Sequence, residues 1–533
     1  MSVTSPPGPV ALETKQQRHA RLLERIDSPG FVDDVFEQAR NRRPELLIGG
    51  DWVVPRSGAT ADTYDPSSGN VIGQYAVADA EDVDRAVQAA KAAHPAWAAL
   101  TMDERAQYMA RLADEIDEHG ALLATADAVN AGLPVARMLN DIDQLARVLR
   151  AWPGMAMALR GDVLEGTPGL HFTRYQPYGV VARIVAFNHP ILFAVKGTLA
   201  ALLAGNTVVL KPADQTPFSA LLLGDIVQRV FPPGVFNVVT GDGRTGSALV
   251  THPVVRRVAF TGSVAVGKLI QQGAAQDRVR NVTLELGGKN AMIVFPDAPV
   301  REAAHNAVFG MNLWANGGQS CGSTSRLYVH EDIKDEFVEE LAARLEATRL
   351  GAAYRTDIDM GPVISAAAKE RITGYIQAGI DEGARLVTGG LNDPRVPDQG
   401  HFIAPTLFAD VPNSARIARE EIFGPVISLL GWHDVDAVVA EANNSELGLT
   451  ASVWTNDISS ALTVADRLEV GYVWINESTT HYFGTPFGGW KDSGLGREES
   501  LEELTSYLQQ KSVHVKLPGS PNSSPPASRK PDR

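Results

Sequence analysis

The sequence has a single cysteine, Cys321, among 533 residues. One cysteine cannot form an internal disulfide, so nothing marks a secreted disulfide scaffold. No run approaches the ~18 apolar residues that a membrane span needs. The N-terminal stretch "MSVTSPPGPVALET" has no charged segment followed by an apolar core, so no secretory signal is predicted. These features favour a cytoplasmic protein without a membrane partner.

Basic side chains are also fewer than acidic ones. There are 48 Lys and Arg against 63 Asp and Glu, which gives a formal charge of −15. A net negative charge argues against nucleic acid or anionic lipid as the main partner. Hydrophobic residues make up 44% and charged residues 21%, as in ordinary soluble globular proteins. The length favours two or three domains, and no metal site is predicted.

Apolar strands alternate with helices through most of the chain. "GVVARIVAF", "NTVVLKP", "GVFNVVTG" and "VRRVAFTG" are typical of buried strands, and "ILFAVKGTLAALLAG" and "SALLLGDIVQRVF" of the helices between them. This order predicts an α/β fold with a parallel sheet covered on both faces. A second α/β stretch follows from about Leu286 to Trp490. "ERAQYMARLADEIDEHGALLATADA" is predicted to be helical, "KQQRHARLLERI" to be a short surface helix, and the Pro/Ser-rich ends to be disordered.

Two glycine-rich loops are candidates for binding phosphate. "GDGRTG", residues 241–246, fits G-x-G-x-x-G, but no acidic residue follows about 20 positions later, so an ordinary turn is favoured. In "VAFTGSVAVGKLI", a strand leads through Gly262 and Ser263 into a helix that contains Gly267. The N–H groups of a helix N-terminus bind phosphate well. Spacing alone leaves a pyrophosphate site and a plain turn equally open for this second loop.

Lys211 and Asp214 follow a predicted buried strand, in "NTVVLKPADQTP". They are expected at the sheet edge where α/β proteins bind ligands. A carboxylate there could bind ribose hydroxyls and would repel a 2′-phosphate. Considered alone, a solvated surface turn is the more economical interpretation.

Cys321 lies in "NGGQSCGSTSR", among glycines and polar residues. Free cysteines are most often small buried apolar residues, but this composition indicates a turn rather than a core strand. A thiolate in a turn that enters a helix would have a lowered pKa and could act as a nucleophile. We therefore predict such a turn at Cys321.

Glu285 and Asn188 each end a predicted strand. Burial at such a strand end would raise the pKa of the Glu285 carboxyl towards general-base use, although an ordinary salt bridge is the alternative. Asn188 precedes His189 and Pro190, which is common turn chemistry. Its side-chain amide could instead stabilise a developing oxyanion.

Seven motifs in fixed order resemble the NAD(P)-dependent aldehyde dehydrogenase superfamily. The resemblance extends from about Leu47 to Leu517. The motifs are Phe187-Asn188-His189-Pro190, Lys211-Pro212-Ala213-Asp214-Gln215-Thr216-Pro217, Phe260-Thr261-Gly262-Ser263, Glu285-Leu286-Gly287-Gly288, Gly318-Gln319-Ser320-Cys321, Glu421-Ile422-Phe423-Gly424-Pro425 and Pro486-Phe487-Gly488-Gly489.

The resemblance implies an aldehyde dehydrogenase-like α/β fold. A Rossmann-type cofactor domain, an α/β catalytic domain and a small β oligomerisation arm are expected, in a homodimer or homotetramer. The implied divisions are an N-terminal extension, partly disordered (1–44), an NAD-binding domain (45–158 and 178–286), a catalytic domain (287–490), the arm (159–177 and 491–517) and a disordered tail (518–533).

The resemblance also implies a reaction. Cys321 would attack an aldehyde to form a thiohemiacetal, hydride would pass to NAD, and Glu285 would activate water to hydrolyse the thioester to the acid. Asn188 and the backbone N–H of Cys321 would stabilise the oxyanion. Members that transfer the acyl group to coenzyme A typically lack this glutamate, so coenzyme A acylation is the second hypothesis. A non-catalytic binding or structural protein on the same scaffold is the third.

The resemblance also implies which residues contact the cofactor and the substrate. NAD is the expected cofactor and NADP the alternative. The residues implied for the cofactor are Lys211 and Asp214 at the adenosine ribose, Gly243 at the adenine, Gly262, Ser263 and Gly267 at the pyrophosphate, and Glu421 and Phe423 at the nicotinamide. Those implied for the substrate are His189, Phe193, Trp314, Phe483 and Phe487. Most of the substrate set is aromatic, which inclines the prediction towards a hydrophobic aldehyde.

This chain departs from the family pattern in five places: Asp214 replaces the common glutamate, the loop "NESTTHYFGTPFGG" is about two residues shorter than in many members, and three further departures lie around the catalytic residues. His189 replaces an aromatic residue. The spacing from Glu285 to Cys321 is two residues longer than usual, so the helix before the cysteine must bulge or extend. The frequent lysine of the helix after Asn188 falls one position early, at Lys196, and its role is not transferred.

Overall fold

The structure is a computed structural model that describes residues 14–165 and 169–517. The ends predicted to be disordered, residues 1–9 and 518–533, lie outside these ranges.

Eight strands form the first sheet, and its five central strands are parallel. Four of the five central strands are fully buried and mostly rich in β-branched residues, which suits a sheet covered on both faces, and Asn281–Glu285 is buried at its last two residues. Their carboxyl ends therefore meet at one edge. In order across the sheet, the strands are Asp51–Val53, Leu46–Ile48, Phe236–Val238, Thr207–Lys211, Val180–Ile184, Arg257–Thr261, Asn281–Glu285 and Gly494–Leu495.

Helices cover both faces of this sheet. Val181 belongs to one hydrophobic core and Val180 and Ala182 to another, because successive strand residues point to opposite faces. The helix predicted from Glu104 onwards is two helices that meet at His119. The helices are Ala80–Ala99, Met102–Glu118, Gly120–Ala131, Val135–Ala156, Pro190–Leu203, Phe218–Val230, Gly243–Thr251 and Val264–Ala275.

A second sheet has seven strands, and all its pairs are parallel except that of the edge strand Arg385–Thr388. Across the sheet they are Arg385–Thr388, Thr406–Ala409, Val426–Trp432, Arg326–His330, Ala291–Val294, Thr450–Trp454 and Tyr472–Ile475. The helical segments are Val300–Gly310, Leu313–Asn316, Glu331–Ile333 (a 3₁₀ turn), Lys334–Glu346, Ala366–Asp381, Arg416–Arg419, Val435–Asn443 and Ile458–Arg467.

The long spacing between Glu285 and Cys321 is absorbed by a broken helix. Val300–Gly310 ends at Met311, and Asn312 adopts a left-handed φ of 55° before the short helix Leu313–Asn316. Asparagine tolerates this conformation better than most residues.

Smaller elements complete the fold. The strand Leu170–Pro177 pairs antiparallel with Leu508–Val515 over eight residues, and Val163–Leu164 adds a third strand. All three strands lie within the two segments, 159–177 and 491–517, that the resemblance assigns to an arm. Two short ribbons, Thr60–Tyr64 with Val71–Ala76 and Leu447–Gly448 with Trp490–Lys491, and the helix Leu501–Ser506 are the remaining elements.

The N-terminal extension contains two helices, Lys15–Ile26 and Phe31–Asn41. The first confirms the helix predicted there, and Thr14 caps it by accepting a hydrogen bond from the Gln17 N–H. Its Leu22 and Ile26 are buried in the first core. Arg18 forms ion pairs with the helices beneath it, one of them to Asp143 at 3.1 Å.

Candidate active site

A cavity of about 840 Å³ lies at the carboxyl ends of the parallel strands of the first sheet. It brings together the three predicted catalytic residues, which span 133 positions of the chain from Asn188 to Cys321. Seven of the eight residues predicted to bind cofactor also line it. The predicted residues in its wall are Asn188, Lys211, Asp214, Gly243, Gly262, Ser263, Glu285, Cys321, Glu421 and Phe423.

Cys321 lies in a turn held by close backbone packing. Its carbonyl oxygen accepts a hydrogen bond of 2.7 Å from the Asn290 side chain. A Cβ on Gly288 would come within 2.5 Å of the same oxygen, and Gly318 adopts a φ of 74° beside Gly424. The turn therefore needs glycine for space and for conformation. The Cys321 side chain packs against Leu449, Tyr472, Trp474 and Phe487.

The prediction that this turn enters a helix is wrong. It follows the short helix Leu313–Asn316 and leads into the strand Arg326–His330. Burial raises the pKa of the Cys321 thiol to about 12, and the charges of Glu285 and Glu421 act in the same direction. The N–H groups of Gly322 and Cys321 oppose this shift, but without a helix dipole they do not offset burial.

Glu285 is the last residue of the strand Asn281–Glu285 and is buried. Burial raises the pKa of its carboxyl well above the ordinary value, and the charge of Glu498 raises it further. The direction of this shift confirms the prediction for a buried strand end. Its Oε2 atom has no hydrogen-bond partner among the described residues, so the carboxylate has free acceptor capacity.

Asn188 follows the strand Val180–Ile184 and is buried in the cavity wall. The helix Pro190–Leu203 begins two residues later, with Pro190 in its first turn. The strand and the helix together fix the backbone at Asn188, so its side-chain amide has a defined place beside the cavity.

Lys211 and Asp214 lie at one side of the cavity. Lys211 is buried at the end of its strand, and its Nζ donates a hydrogen bond of 3.1 Å to the Pro212 carbonyl. Burial lowers the pKa of this amine, whereas Asp214 and Asp242 raise it. Asp242 also caps the helix Gly243–Thr251, so the "GDGRTG" segment is a helix start as well as a turn.

Ser263 caps the helix Val264–Ala275, and its hydroxyl accepts a hydrogen bond from the Val266 N–H. The N-terminus of this helix opens into the cavity. Gly267 is one turn further on and does not line the cavity. A Cβ on Gly267 would meet Leu286 at 2.7 Å, so this glycine lets the helix approach the chain after Glu285.

Glu421 reaches the cavity from the second sheet. Its Oε1 accepts a hydrogen bond of 2.9 Å from the Gly288 N–H, and burial raises the pKa of its carboxyl. Phe423 follows with a left-handed φ of 52°, and its ring meets the Phe187 ring edge-on at 5.7 Å. Both residues belong to the predicted nicotinamide set.

The cavity fits a dinucleotide in size and in chemistry. A capped helix N-terminus can bind phosphate, and Asp214 and Glu421 supply carboxylates for two riboses. Carboxylates at the adenosine end match free ribose hydroxyls better than a 2′-phosphate.

Of the predicted substrate residues, His189 lies in polar surroundings and Phe487 lies beside a histidine. His189 Nδ1 is 2.7 Å from Asp141 Oδ2, and its Nε2 is 3.2 Å from Asn316 Nδ2. The nearby carboxylates of Asp141 and Asp127 outweigh burial and raise the pKa of His189. Phe487 is buried, and its ring centroid is 4.5 Å from that of His481. This part of the site is therefore less apolar than the sequence indicated.

The other three predicted substrate residues make aromatic contacts. Phe193 packs edge-on against His189 at 5.7 Å, and Phe483 against Trp152 at 5.8 Å. Trp314 packs on Phe309 of the preceding helix. None of the five predicted substrate residues, His189 and Phe487 included, lines the cavity at the strand ends.

Sequence reasoning missed several residues around the site. Arg371, on the helix Ala366–Asp381, lines the cavity without any motif to mark it. Buried Arg183 donates a hydrogen bond of 2.8 Å to Glu498, the residue whose charge acts on Glu285. A buried arginine inside an apolar strand was the available signal, because such a charge requires a partner.

Residues 14–165 and 169–517 contain no helix long and apolar enough to cross a membrane. The same residues contain no cluster of three or more His, Cys, Asp or Glu side chains placed to bind a metal ion.

Comparison with known proteins agrees with the geometry. The chain is 43% identical over 495 residues to aldehyde dehydrogenase tropH of Talaromyces stipitatus, which covers 91% of this chain and 95% of that protein. It is 42% identical over 482 residues to hydroxyisobutyraldehyde dehydrogenase of Mycolicibacterium austroafricanum, covering 90% and 95%. The NAD⁺ complex of aldehyde dehydrogenase from Bacillus cereus superposes with a TM-score of 0.87 at 38% identity, covering 90% and 98%.

The profile of the aldehyde dehydrogenase family matches residues 52–513. This match spans the second sheet, all of the first sheet except its strand Leu46–Ile48 and residue Asp51, and every residue that lines the cavity. The chain belongs to the aldehyde dehydrogenase family, the NAD(P)-dependent enzymes that oxidise aldehydes.

Proposed function

We propose that the chain oxidises an aldehyde to the free carboxylic acid with NAD, through a covalent thioester on Cys321. One observation carries this proposal: Asn188, Glu285 and Cys321 line the same cavity as the residues suited to bind the dinucleotide. When bound there, NAD supplies the hydride acceptor. The residues proposed to hold it are Lys211, Asp214, Gly243, Gly262, Ser263, Glu421 and Phe423, with Gly267 contributing only through the packing of its helix.

The first half of the proposed reaction forms a bond to sulfur. The Cys321 sulfur attacks the aldehyde carbon as its thiol proton leaves, and the carbonyl π electrons move to oxygen. The Asn188 amide and the Cys321 backbone N–H donate hydrogen bonds to this oxyanion. Among the charged groups, Glu285 acts most strongly on the thiol, which makes it the proposed acceptor of the thiol proton.

The second half requires hydrolysis. Loss of hydride from the thiohemiacetal carbon leaves a thioester. Glu285 first releases the thiol proton to solvent and then takes a proton from water, and the resulting hydroxide attacks the carbonyl carbon. The carbon–sulfur bond breaks, the acid leaves and Cys321 is regenerated. A buried carboxylate with a raised pKa and an unused Oε2 atom suits this step.

Product analysis tests the proposed function. With an aldehyde panel and NAD, but no coenzyme A, we expect one acid molecule for each NADH formed. We also expect a higher kcat/KM with NAD than with NADP, because Asp214 and Asp242 would repel a 2′-phosphate. Strict dependence on coenzyme A, with a thioester as product, would contradict hydrolysis by Glu285. A preference for NADP would contradict only the cofactor assignment.

We further propose the domain division set out above, with the first sheet as the cofactor domain and the second as the catalytic domain. The pairing pattern supports it, since all strands of the second sheet come from residues 291–475, and those of the first from residues 46–285 plus the edge strand Gly494–Leu495. A cytoplasmic location is proposed as well, supported by the single cysteine. Cell fractionation tests the location.

The three-stranded sheet is proposed as an oligomerisation arm that pairs with a second copy of the chain. Val163 and Leu164 on its edge strand are 61% and 53% exposed, an unusual state for adjacent apolar residues. We expect a homodimer or homotetramer in light scattering, and dissociation on replacing Val163 and Leu164 by glutamate. Leu462→Glu, at an exposed position of the helix Ile458–Arg467, is the matched control and leaves the mass unchanged. A monomeric native chain contradicts the assignment.

A further inference from the structure

His189 forms a bridge between the proposed oxyanion donor and the chain that leads to the nucleophile. It follows Asn188 directly in the sequence. Its Nδ1 lies 2.7 Å from Asp141 Oδ2, and its Nε2 lies 3.2 Å from Asn316 Nδ2. His189 does not line the cavity, whereas Asn188 does. An effect of His189 on the reaction must therefore pass through these neighbours.

The Asn316 end of the bridge is tied to the turn of Cys321. Asn316 is the last residue of the short helix Leu313–Asn316 and is buried. Its carbonyl oxygen accepts hydrogen bonds from the Gln319 backbone N–H at 3.1 Å and from the Gln319 side-chain amide at 3.0 Å. Gln319 precedes Cys321 by two residues. The position of Asn316 therefore determines where the turn begins.

The other side of this turn has its own anchor. Asn290, which follows Glu285 by five residues, donates a hydrogen bond of 2.7 Å to the Cys321 carbonyl. One anchor thus joins the turn to the segment after the proposed base, and His189 joins it to the proposed oxyanion donor. Together the two anchors fix the thiol relative to both groups.

The Asp141 end of the bridge is buried in the helix Val135–Ala156. Removing an ionised carboxylate from water is costly unless the charge is paired and hydrogen-bonded. Here the partner is a histidine, at a position where the family pattern has an aromatic residue. Filling space requires neither the carboxylate nor the ring nitrogens, so the pair indicates a more specific role.

The charged groups around His189 favour the protonated ring. Burial opposes the charge, and Lys196 on the same helix opposes it as well. Asp141 and Asp127, on two other helices, outweigh both and raise the pKa of His189. The imidazolium carries a hydrogen on each nitrogen, so it donates to Asp141 and needs an acceptor at Nε2.

Asn316 can supply that acceptor. Its side-chain Oδ1 is buried and has no hydrogen-bond partner among the described residues. Half a turn of the amide exchanges Oδ1 with Nδ2 and brings Oδ1 to the Nε2–H of the imidazolium. A hydrogen bond from a charged donor is roughly twice as strong as a neutral one. A neutral ring can only accept from Nδ2, so the bridge is then weaker.

We infer that His189, as an imidazolium held by Asp141, is a positioning residue that ties Asn188 to the turn of Cys321 through Asn316. The inference rests on the proposed function for its kinetic consequences, and on the thiol alone for its structural ones. A displacement of about 1 Å between reacting groups can slow a reaction by about 100-fold. Loss of the bridge should therefore lower the rate although no group that touches the substrate is removed.

Two substitutions at the same position grade the bridge. His189→Phe keeps a ring and removes both hydrogen bonds, so kcat is expected to fall by about 100-fold. His189→Gln can still bond to both neighbours but carries no charge, so kcat should fall by only about 10-fold. NAD binding should change by less than about threefold in both variants. If His189→Phe does not fold, His189→Gln decides.

The pH profile distinguishes positioning from packing. In the native enzyme, kcat should fall by about 10-fold as the pH rises through the raised pKa of His189, because the neutral ring weakens the bridge. Asp141→Asn removes a charge that raises this pKa, so the descending limb should move to lower pH. In His189→Gln the limb should be absent. A role in packing alone would lower kcat without changing the shape of the profile.

Alkylation of Cys321 tests the turn without any aldehyde. A looser turn exposes the thiol and lowers its pKa, so iodoacetamide should label His189→Phe about 10-fold faster than the native protein at neutral pH, with His189→Gln in between. Asp143→Asn is the matched control. It lies on the same helix as Asp141, and its carboxylate pairs with Arg18 and His19 of the N-terminal extension. It should leave kcat, the pH profile and the labelling rate unchanged.

The outcomes separate this inference from the proposed function. If no aldehyde reduces NAD, the proposed function fails, and the labelling rates alone decide the inference. If aldehydes are oxidised but the native profile lacks the descending limb, or His189→Gln retains it, only the inference is overturned. Labelling of both His189 variants at the native rate overturns it too, as does an equal effect of Asp143→Asn.

Discussion

Replacing Cys321 by alanine is expected to lower NADH formation by more than about 10,000-fold with every aldehyde, as when the nucleophile of a covalent enzyme is removed. No other cysteine exists to replace it. NAD binding should change by less than about threefold, because the cofactor residues surround the cavity independently of the thiol. Steady-state kinetics and calorimetry measure the two effects separately.

The single cysteine makes the control unusually clean. Iodoacetamide should label at most one site, and the loss of activity should parallel that labelling. An aldehyde bound with NAD should protect the thiol. Because burial raises the pKa of Cys321 to about 12, labelling of the cofactor-free protein should be slow at neutral pH and rise steeply in alkali. Substantial NADH formation by Cys321→Ala would contradict the covalent mechanism.

Short-range sequence patterns predicted the sheet well. Runs of β-branched residues such as Val180–Ile184 and Thr207–Lys211 indicated buried strands, and the helices between them required parallel pairing. These features depend on neighbouring residues, so the sequence displays them directly. The family resemblance added the arm pairing of Leu170–Pro177 with Leu508–Val515, which no local pattern specifies.

Contacts between charged groups that are far apart in the sequence were not predicted. Lys196 and Glu499 are 303 positions apart, and Arg183 and Glu498 are 315 apart. Such pairs have no periodicity, so composition and spacing cannot reveal them. The charges of Glu498, Arg183 and Glu499 nevertheless act on the pKa of Glu285.

The surroundings of Cys321 are a second feature that the sequence could not predict. A glycine-rich turn has the same kind of sequence whether a helix or a strand follows it. Here the turn leads into the strand Arg326–His330. The pKa of the thiol depends on how much protein packs around it, which sequence does not give. The expected activation by a helix terminus is therefore replaced by dependence on Glu285 and on charge within the cavity.

Glu285→Gln is expected to stop the reaction after the first half. The amide has the shape of the carboxyl but cannot accept a proton from water, so hydrolysis should slow by about 100- to 10,000-fold. Rapid mixing should then show about one NADH per active site followed by a very slow steady state. If Glu285 also takes the thiol proton, the burst itself slows, whereas hydrolysis is lost in either case.

The pH dependence of hydrolysis tests the role of the Glu285 carboxyl independently. The reactive form is the carboxylate, and burial with the nearby charge of Glu498 raises its pKa. In the unmodified enzyme, the rate of hydrolysis should therefore rise with pH through this elevated pKa. The Glu285→Gln variant should lose that limb of the profile.

The trapped thioester can be identified chemically. Hydroxylamine attacks thioesters without help from a general base, so it should restore turnover in Glu285→Gln and yield a hydroxamate. Glu285→Asp retains a carboxylate one carbon further back and should recover part of the hydrolysis without hydroxylamine. Hydrolysis in Glu285→Gln within about threefold of the native rate would remove Glu285 from the base role. Because Glu285 is the only carboxylate of the proposed catalytic set, another base would then have to be sought at Glu421, or at Glu498 through its pair with Arg183.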